Sequence, residues 1–493
     1  MIRAWIEQAA ARQGDDVYLA DARGAAALSY AGLLDVVRET ERRLDDAGLP
    51  RGARIGVRLT DPLDYATALV ALIAAGRVAV PLDPGAPDTD VARVLRVARP
   101  AGLIASRAAG LDGEWRAGTG EATQPFGITA VDPPPTTSGG ADGSSSAGGI
   151  FLSTSGTTGT PKGILLREEQ LMHVATSVVE SHRLTRGDRG YCSLPLFHVN
   201  AEVVGVLATL RAGAYLALDR KFSRRGFWEM ISDRGITWIN AVPAIISILS
   251  MDRPASRPAA LRFVRSASAP LPLAALRKFE DEIGVPVVET YGMTEAASMI
   301  TANPVDGPRK PGSAGRPAGS EVRVEASDGV AAAAGEIGRV KIRGAGVITA
   351  YDSGGRPGVI DADGWLDTSD LGYLDADGYL FLVGRCDDVI NRGGEKIYPR
   401  DIEEILLAQA GVRSAALVGI ADAVLGERPV AYIVTADDAA EVPVLEAALR
   451  AACGKRLPRH KQPSEFRFMD HFPLGPTGKI SRRLLKDLVA TQS

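Results

Sequence analysis

The 493-residue chain contains only three cysteines and five histidines. Cys192, Cys386 and Cys453 lie far apart and form no CxxC pair, so the sequence offers neither a disulfide framework nor a zinc-finger spacing. Three reduced thiols are what we expect of a cytoplasmic protein. The histidines do not pair at the spacing of metal ligands, and we therefore expect no histidine-built metal site.

The chain also lacks an excess of positive charge and a long apolar run. It has 56 lysines and arginines against 60 aspartates and glutamates, which excludes nucleic-acid binding driven by bulk charge. The longest apolar stretch, residues 65–76, is shorter than the roughly 20 residues that span a membrane. The first residues contain no uninterrupted apolar segment of the kind found in signal peptides. We therefore expect neither a nucleic acid nor a membrane as a partner.

Strands and helical segments alternate along most of the chain. Before the first predicted strand the pattern predicts a helix, a turn and a second helix, and further helices are predicted at 168–182 and 201–211. At roughly 150 residues per domain, the length allows about three compact units. The alternation predicts an α/β fold with parallel sheets, interrupted by a surface loop at the Gly-, Ser- and Pro-rich residues 113–149. Residues 320–383 alternate with period two between Asp-Gly turns, which predicts a small antiparallel β unit. Mixed helices and strands after residue 384 predict an α+β region.

One segment concentrates hydroxyls, glycines and a lysine between two apolar strands. Residues 153–163 do not match the Walker A pattern, but backbone N–H groups, hydroxyls and one cation suit a triphosphate. A flexible turn is the alternative, and for residues 143–149 it is the better interpretation. The flanking strands and the Pro161-Lys162-Gly163 ending favour an ordered phosphate loop in the first case. Its candidate phosphate ligands are Thr154, Ser155, Gly156, Thr157, Thr158, Gly159 and Lys162.

This segment resembles the phosphate-binding signature of the adenylate-forming superfamily, which includes acyl-CoA synthetases, nonribosomal-peptide adenylation domains and luciferases. Further motifs follow in the family's order, so the resemblance covers essentially the whole chain. Within the superfamily, the motif sequences most resemble those of small-acid and aryl-acid CoA ligases. The resemblance implies a large multi-subdomain adenylation core, residues 1–383, and a mobile α+β cap domain, residues 384–493. The hinge between them is expected near Asp387.

Three motifs resemble the family's adenine, magnesium and acid sites. The resemblance implies that Ser268, Ala269 and Pro270 border adenine. It also implies that His198 forms a wall of the acid pocket, although a lone histidine is more often a core residue, and we expect residues 240–243 to add a second wall. In the motif at residues 289–295, Tyr291 can stack on adenine, Thr294 can donate to the α-phosphate and Glu295 is a suitable Mg²⁺ ligand. The other nucleotide-binding candidates of this motif are Glu289, Thr290, Gly292 and Met293.

The remaining motifs resemble the family's ribose, thiol and catalytic-lysine segments. The resemblance implies that Asp370 accepts hydrogen bonds from the ribose hydroxyls, beside Ser369, which stands where glycine is usual. Near the hinge, we expect Arg385 to contact ribose or phosphate, and Gly393 and Gly394 to let a thiol arm pass. The resemblance assigns Lys479 to the acid carboxylate and the α-phosphate. Lys396 is expected near the thiol face.

The implied activity is ATP-dependent acid–CoA ligation through an acyl-adenylate, with ATP, Mg²⁺ and coenzyme A as cofactors. Three alternatives remain open: loading of a separate carrier protein, a half-reaction enzyme that only thioesterifies a preformed adenylate, and a non-catalytic nucleotide-binding protein. The acid is expected to be small, and an acid of secondary metabolism is plausible. No basic group stands out in the pocket motifs, so the sequence does not indicate a dicarboxylate. It gives no expectation about oligomeric state.

Overall fold

The chain forms several α/β layers and a smaller α+β unit. The computed structural model describes residues 1–106, 126–130, 148–155, 161–355, 357–436, 439, 441–474 and 480–490. Its α-helices, numbered in chain order, are α1 Ile2–Gln13, α2 Tyr30–Asp46, α3 Pro62–Ala74, α4 Asp88–Ala98, α5 Glu168–His182, α6 Ala208–Ala212, α7 Phe227–Asp233, α8 Pro243–Leu249, α9 Leu273–Ile283, α10 Pro399–Leu407, α11 Val442–Arg456 and α12 Arg482–Ala490.

Two large sheets form the body of the protein. The first has nine strands: β1 Val17–Asp21, β2 Ala27–Ser29, β9 Arg189–Cys192, β10 Tyr215–Leu218, β11 Trp238–Ala241, β12 Phe263–Ser266, β13 Val287–Met293, β14 Ser298–Ala302 and β15 Arg316–Pro317. The second has six: β3 Arg54–Arg58, β4 Val78–Pro81, β5 Gly102–Ser106, β6 Phe126–Ala130, β7 Gly149–Ser155 and β8 Pro161–Arg167.

Two smaller sheets follow in the chain. The four-stranded antiparallel sheet contains β16 Glu321–Glu325, β17 Gly338–Arg343, β18 Leu366–Leu374 and β19 Leu380–Arg385. The last sheet contains β20 Ile390–Arg392, β21 Glu395–Ile397, β22 Val412–Asp422, β23 Gly426–Thr435 and β24 Glu465–Met469. This last sheet is built wholly from residues after the predicted hinge.

A helical layer lies between the two large sheets and forms the main core. Helix α3 contacts strands of both sheets, and every residue from Leu63 to Ala74 is buried, because a helix that is apolar on all sides needs cover on all sides. Asp61 caps its N-terminus by accepting from the backbone N–H groups of Leu63 and Asp64. Helix α5 also contacts both sheets.

The topology brings the sequence motifs to one edge. Strands β9, β11, β12 and β13 are parallel neighbours, so their carboxyl ends meet at the same edge of the nine-stranded sheet. The segments that follow them carry the motifs around residues 195–199, 240–243, 266–271 and 289–295. Ligand-binding residues of α/β sheets gather at such edges.

The structure confirms the predicted fold class and differs from the sequence in local detail. The hairpin β1–β2 lies where the sequence suggested only a turn, because its short strands are completed by pairing with distant β10. The predicted helix over 201–211 is a π-helical segment, Asn200–Leu207, followed by α6. Strand β6 falls inside the predicted surface loop, most of which lies outside the described residues. Among the helices that the structure describes, none is long and apolar enough to cross a membrane.

Candidate functional site

The end of β12 presents the predicted adenine-bordering residues. Ser268, Ala269 and Pro270 are all exposed, and Ser268 has a φ of +73°, in the region that side chains rarely occupy. Behind them, Thr290 on β13 donates through Oγ1 to the Ser266 carbonyl at 3.0 Å. The hydrogen bond fixes the two strand ends side by side, so the turn after β12 leaves the sheet in a defined direction.

Tyr291 and Asp370 meet although 79 positions separate them. The Tyr291 hydroxyl donates to Asp370 Oδ2 at 2.5 Å, and Arg385 Nη1 lies 3.3 Å from Oδ1 of the same carboxylate. Asp370 and Arg385 are directly paired on β18 and β19. Burial raises the pKa of Tyr291 well above its ordinary value, so the phenol keeps its proton and remains a donor. Two donors therefore orient one carboxylate.

Ser369 adopts the backbone conformation of the glycine that it replaces. Its φ is +61° and its side chain is buried, while its backbone N–H donates to Asp367 Oδ1 at 2.8 Å. The next N–H, that of Asp370, donates to Thr368 Oγ1 at 3.1 Å. These two hydrogen bonds hold the turn that presents Asp370. The turn therefore forms with serine at position 369, where glycine is usual in the family.

Tyr351 joins the phosphate-loop lysine to the predicted magnesium carboxylate. Its hydroxyl donates to Glu295 Oε1 at 3.0 Å, and Lys162 Nζ lies 5.0 Å from the centre of its ring. A cation over an aromatic face at this distance is attracted by the ring. Strand β8 is held there by Gly163, whose N–H donates to the Ser353 carbonyl at 3.0 Å. Tyr351 belongs to none of the motifs found in the sequence. The one sequence feature that could have indicated it is an aromatic residue within a Gly-rich segment.

Glu295 fits the role of a magnesium ligand. Its Oε1 accepts from the Tyr351 hydroxyl, and this hydrogen bond orients the carboxylate. The described part of the chain holds no group of three or more potential metal-binding side chains. A single carboxylate is nonetheless what a Mg²⁺ site needs when substrate phosphates and water supply the other ligands.

Glu289 and Gly292 have tight surroundings at either end of the same motif. The Glu289 carboxylate accepts from the Gly312 N–H at 3.3 Å, and burial raises its pKa to about 7 against the opposing effects of Gly312 and Arg400. At Gly292 a Cβ would lie only 1.5 Å from the Ser298 carbonyl oxygen, so no other residue fits. Met293 ends β13, and Thr294 begins the 3₁₀ turn Thr294–Ala296 that carries Glu295.

His198 lies at the start of the π-helical segment. Its carbonyl accepts from the Ala201 N–H at 3.0 Å, its own N–H donates to the Pro195 carbonyl at 3.2 Å, and its ring is 4.7 Å from that of Phe197. The side chain is half-buried at the edge that carries the other motifs. This position is compatible with the predicted pocket wall.

The predicted hinge and thiol loop lie beyond the four-stranded sheet. Asp387 is exposed in the short 3₁₀ turn Cys386–Asp388 that links β19 to β20. Gly393 and Gly394, with φ values of +61° and +89°, form the two-residue turn between β20 and β21. Two consecutive positive φ values are typical of a type I′ hairpin turn. Such a turn favours glycine at both positions, whether or not the loop has a role in binding. Lys396 is exposed on β21.

Several predicted residues cannot be located. Gly156, Thr157, Thr158, Gly159 and Lys479 lie outside the described residues. Thr154 and Ser155 lie in β7, and at these two positions the structure describes the main chain. Strands β7 and β8 form an antiparallel pair that runs from Gly149↔Arg167 to Ser155↔Pro161.

Comparison with known proteins shows the family to which the chain is similar. The family model for AMP-binding enzymes matches residues 6–352, and that for the AMP-binding enzyme C-terminal domain matches residues 401–479. A sulfoacetate–CoA ligase from Cupriavidus necator is 44% identical over 68% of this chain and 65% of its own length, slightly under two thirds. An oxalate–CoA ligase from Arabidopsis thaliana is 32% identical over 93% of both chains.

A solved structure extends the similarity to the whole fold. The o-succinylbenzoate CoA synthetase (MenE) from Bacillus subtilis, in complex with the acyl-adenylate OSB-AMP, is 25% identical with a TM-score of 0.82 and covers 98% of both chains. The same enzyme has been solved with ATP and magnesium ion. The chain therefore belongs to the AMP-binding enzyme family. Within it, the chain is an AMP-forming acid–thiol ligase that binds ATP, as the resemblance implied.

Proposed function

We propose that this ligase joins a small carboxylic acid to free coenzyme A in two steps at one site. The observation that carries the proposal is that Tyr351 contacts both Lys162 and Glu295, while Tyr291, in the same motif as Glu295, binds Asp370. The motif at residues 289–295 thus connects a phosphate cation, a magnesium carboxylate and a ribose acceptor. A protein that merely bound a nucleotide would need no such metal and phosphate pairing.

In the first step, a carboxylate oxygen of the acid attacks the α-phosphorus of ATP. The new acyl–phosphate bond forms as the bond to pyrophosphate breaks. The residues after β12 and Tyr291 would hold adenine, Asp370 would accept from the ribose hydroxyls, and Lys162 would face the phosphates. Lys479 would lie between the carboxylate and the α-phosphate and stabilise the charge of the transition state. No nucleophilic side chain is required, because the substrate itself is the nucleophile.

Magnesium would be held by Glu295 together with the phosphates. When bound, the ion neutralises phosphate charge and orients the leaving pyrophosphate. Tyr351 supports this role, because its hydrogen bond to Oε1 restricts the carboxylate and its ring holds the Lys162 ammonium nearby. Thr294, which begins the same 3₁₀ turn, would donate to the α-phosphate or to the acyl oxygen.

In the second step, the coenzyme A thiol attacks the acyl carbon, and AMP leaves with the electron pair of the broken carbon–oxygen bond. We propose that the domain at 384–493 rotates about Asp387 between the steps, withdrawing Lys479 and presenting the Gly393–Gly394 turn and Lys396. The 3₁₀ turn around Asp387 joins two sheets, so a rotation there would disturb neither sheet. His198 would shield the acyl carbon from water.

Two assays test the proposal. ATP–pyrophosphate exchange without coenzyme A measures the first step, and AMP release on adding coenzyme A measures the second. We expect an acid that supports both. Exchange in the absence of a thiol, followed by AMP release only with a holo-carrier protein, would favour carrier loading. Absence of exchange with every acid, together with thioester formation from synthetic acyl-AMP, would identify a half-reaction enzyme.

A further inference from the structure

A buried guanidinium lies directly behind the motif that follows β12. Arg265 is 2% exposed, and its Nη1 donates to the amide oxygens Asn200 Oδ1 at 2.8 Å and Asn240 Oδ1 at 3.0 Å. Its Nε, also buried, has no hydrogen-bond partner in the parts of the chain that the structure describes. A buried cation with an unsatisfied hydrogen-bond donor is energetically costly. Such a group therefore calls for an explanation, and a bound ligand that accepts the hydrogen bond is one.

In the parts of the chain that the structure describes, no carboxylate forms an ion pair with this guanidinium, and Cys192 is the charged or titratable neighbour that affects its pKa. Burial raises the pKa of the neighbouring Cys192 thiol to about 11, so the thiol stays neutral. Burial and then Arg265 itself lower the pKa of His182, which stays neutral too. Burial lowers the pKa of Arg265 to about 9, which leaves it largely charged at pH 7. Among the described residues, therefore, the polar groups found near the buried Arg265 cation are neutral: two amides, a thiol and an imidazole.

The position of Arg265 connects it to the acid-binding side of the site. Asn200, which holds the guanidinium, also lies 3.4 Å through Nδ2 from Ser268 Oγ, and it follows His198 by two residues. Asn240 belongs to the segment predicted to supply a second pocket wall. The two amides that fix Arg265 thus come from the two segments expected to surround the acid.

We propose that Arg265 is the receptor for a second anionic group on the acid, so that the enzyme selects short acids carrying a carboxylate or sulfonate besides the carboxylate that reacts. The proposal rests on the proposed function and deepens it. A guanidinium can bind a carboxylate or sulfonate through two adjacent N–H donors. In Arg265 the two amides use Nη1, and Nε–H is the donor that remains without a partner among the described residues. The bound substrate would supply the missing counter-ion, and a neutral tail would leave the buried charge unpaired.

The relatives are consistent with this class of acid. Sulfoacetate and oxalate, in the names of two relatives, each carry two anionic groups on a short skeleton. No sequence motif indicated Arg265, because this residue lies inside strand β12 and not in a motif. The available signal was a charged residue in the middle of the buried strand Phe263–Ser266.

A matched pair of acids tests the proposal. Sulfoacetate and methylsulfonylacetate differ in that a neutral methyl group replaces one charged oxygen of the sulfonate. We expect the wild-type enzyme to prefer sulfoacetate in kcat/KM by at least about 100-fold, and Arg265→Gln to abolish that preference without changing the KM for ATP. Arg265→Lys should restore part of it, because the charge returns without the two-point geometry. Arg277→Gln, which removes an exposed arginine, is the control for net charge.

A second variant covers the case in which Arg265→Gln does not fold. Asn240→Asp keeps the arginine and gives it an internal carboxylate, so the preference should also disappear while the buried charge becomes better compensated. Equal kcat/KM values for the two acids in the wild-type enzyme, or an unchanged preference in both variants, would overturn the proposal.

Calorimetric titration of the acids into the AMP-loaded enzyme separates this inference from the proposed function. Wild-type binding of sulfoacetate that Arg265→Gln removes would support the inference even if no acid were turned over. Absence of binding by sulfoacetate, oxalate and 2-succinylbenzoate, with turnover of neutral acids, would refute the inference and leave the ligase function standing.

Discussion

Tyr291 donates to one oxygen of Asp370 while Arg385 contacts the other, so the adenine and ribose candidates form a single hydrogen-bonded unit. Tyr291 lies on β13 of the nine-stranded sheet, and Asp370 belongs to the four-stranded sheet. The bond therefore also ties two subdomains together at the site. A nucleotide bound there would be in contact with both.

Removal of the Tyr291 hydroxyl should weaken ATP binding. In Tyr291→Phe the ring remains for stacking, but Asp370 loses one of its two orienting donors. A lost hydrogen bond of about 1 kcal/mol predicts a rise in the KM for ATP of about fivefold, with a smaller change in kcat. The matched control is Tyr373→Phe, because Tyr373 lies on the same strand as Asp370 and stacks on Phe381. An equal effect in both variants would contradict the assignment.

Lys479 should be needed for the first step alone. Lys479→Ala is expected to reduce ATP–pyrophosphate exchange by about 100-fold or more, the usual result of removing a group that stabilises charge in the transition state. Thioester formation from synthetic acyl-AMP should continue at nearly the wild-type rate. The neighbouring Lys486→Ala provides a control for the loss of a cation in the same region. A parallel decline of both half-reactions would count against the assigned role.

The Gly393–Gly394 turn should matter for the second step. Gly394→Ala places a side chain at a φ of +89°, which is strained although a Cβ would meet no atom within 4 Å. We expect slower AMP release on addition of coenzyme A, with pyrophosphate exchange unchanged. Gly378→Ala, also at positive φ in open space, is the control for strain alone. Similar behaviour of the two variants would mean that the turn has only a structural role.

Ser369 should tolerate replacement by glycine. The backbone already has a φ of +61°, which costs a side-chain-bearing residue about 1–2 kcal/mol, while glycine loses more entropy on folding. These effects nearly cancel, so Ser369→Gly should leave the KM for ATP within about twofold and the melting temperature nearly unchanged. Ser369→Val should lower the melting temperature, because a β-branched residue fits this conformation poorly. A large rise in KM with glycine would indicate that the serine hydroxyl itself contacts the nucleotide.

Asp64 should make stability depend on pH. Burial, then the nearby Asp61, raises its pKa to about 7, against the opposing effect of Arg220. The folded state therefore keeps a proton that the unfolded state releases near pH 4, so this residue lowers the free energy of unfolding as pH rises from about 4 to 7. Asp64→Asn should raise the melting temperature by about 2–4 °C at pH 8 and hardly at all at pH 4. An equal shift at both pH values would contradict the assigned pKa.

The sequence predicted local features well and long-range pairings poorly. The α5 boundaries, Glu168–His182, agree with the expected helix because apolar periodicity is a local property. The β1–β2 hairpin was missed because its strands depend on β10, far along the chain. Motifs predicted which residues would gather, but Tyr351 and Arg265 carry no motif. Their neighbours, such as Glu295 and Asn240, are brought to them only by the packing of separate elements.

Tyr351 has a consequence for attempts to redesign this enzyme. It contacts Lys162 from the second sheet and Glu295 from the first, so three stretches of sequence widely separated in the chain are tied to one another. Segments exchanged with another ligase should carry these three positions together as a block. A chimera that takes these three residues from different parent enzymes would combine side chains that did not evolve to contact one another. Its loss of activity would then differ from the sum of the losses caused by the separate replacements.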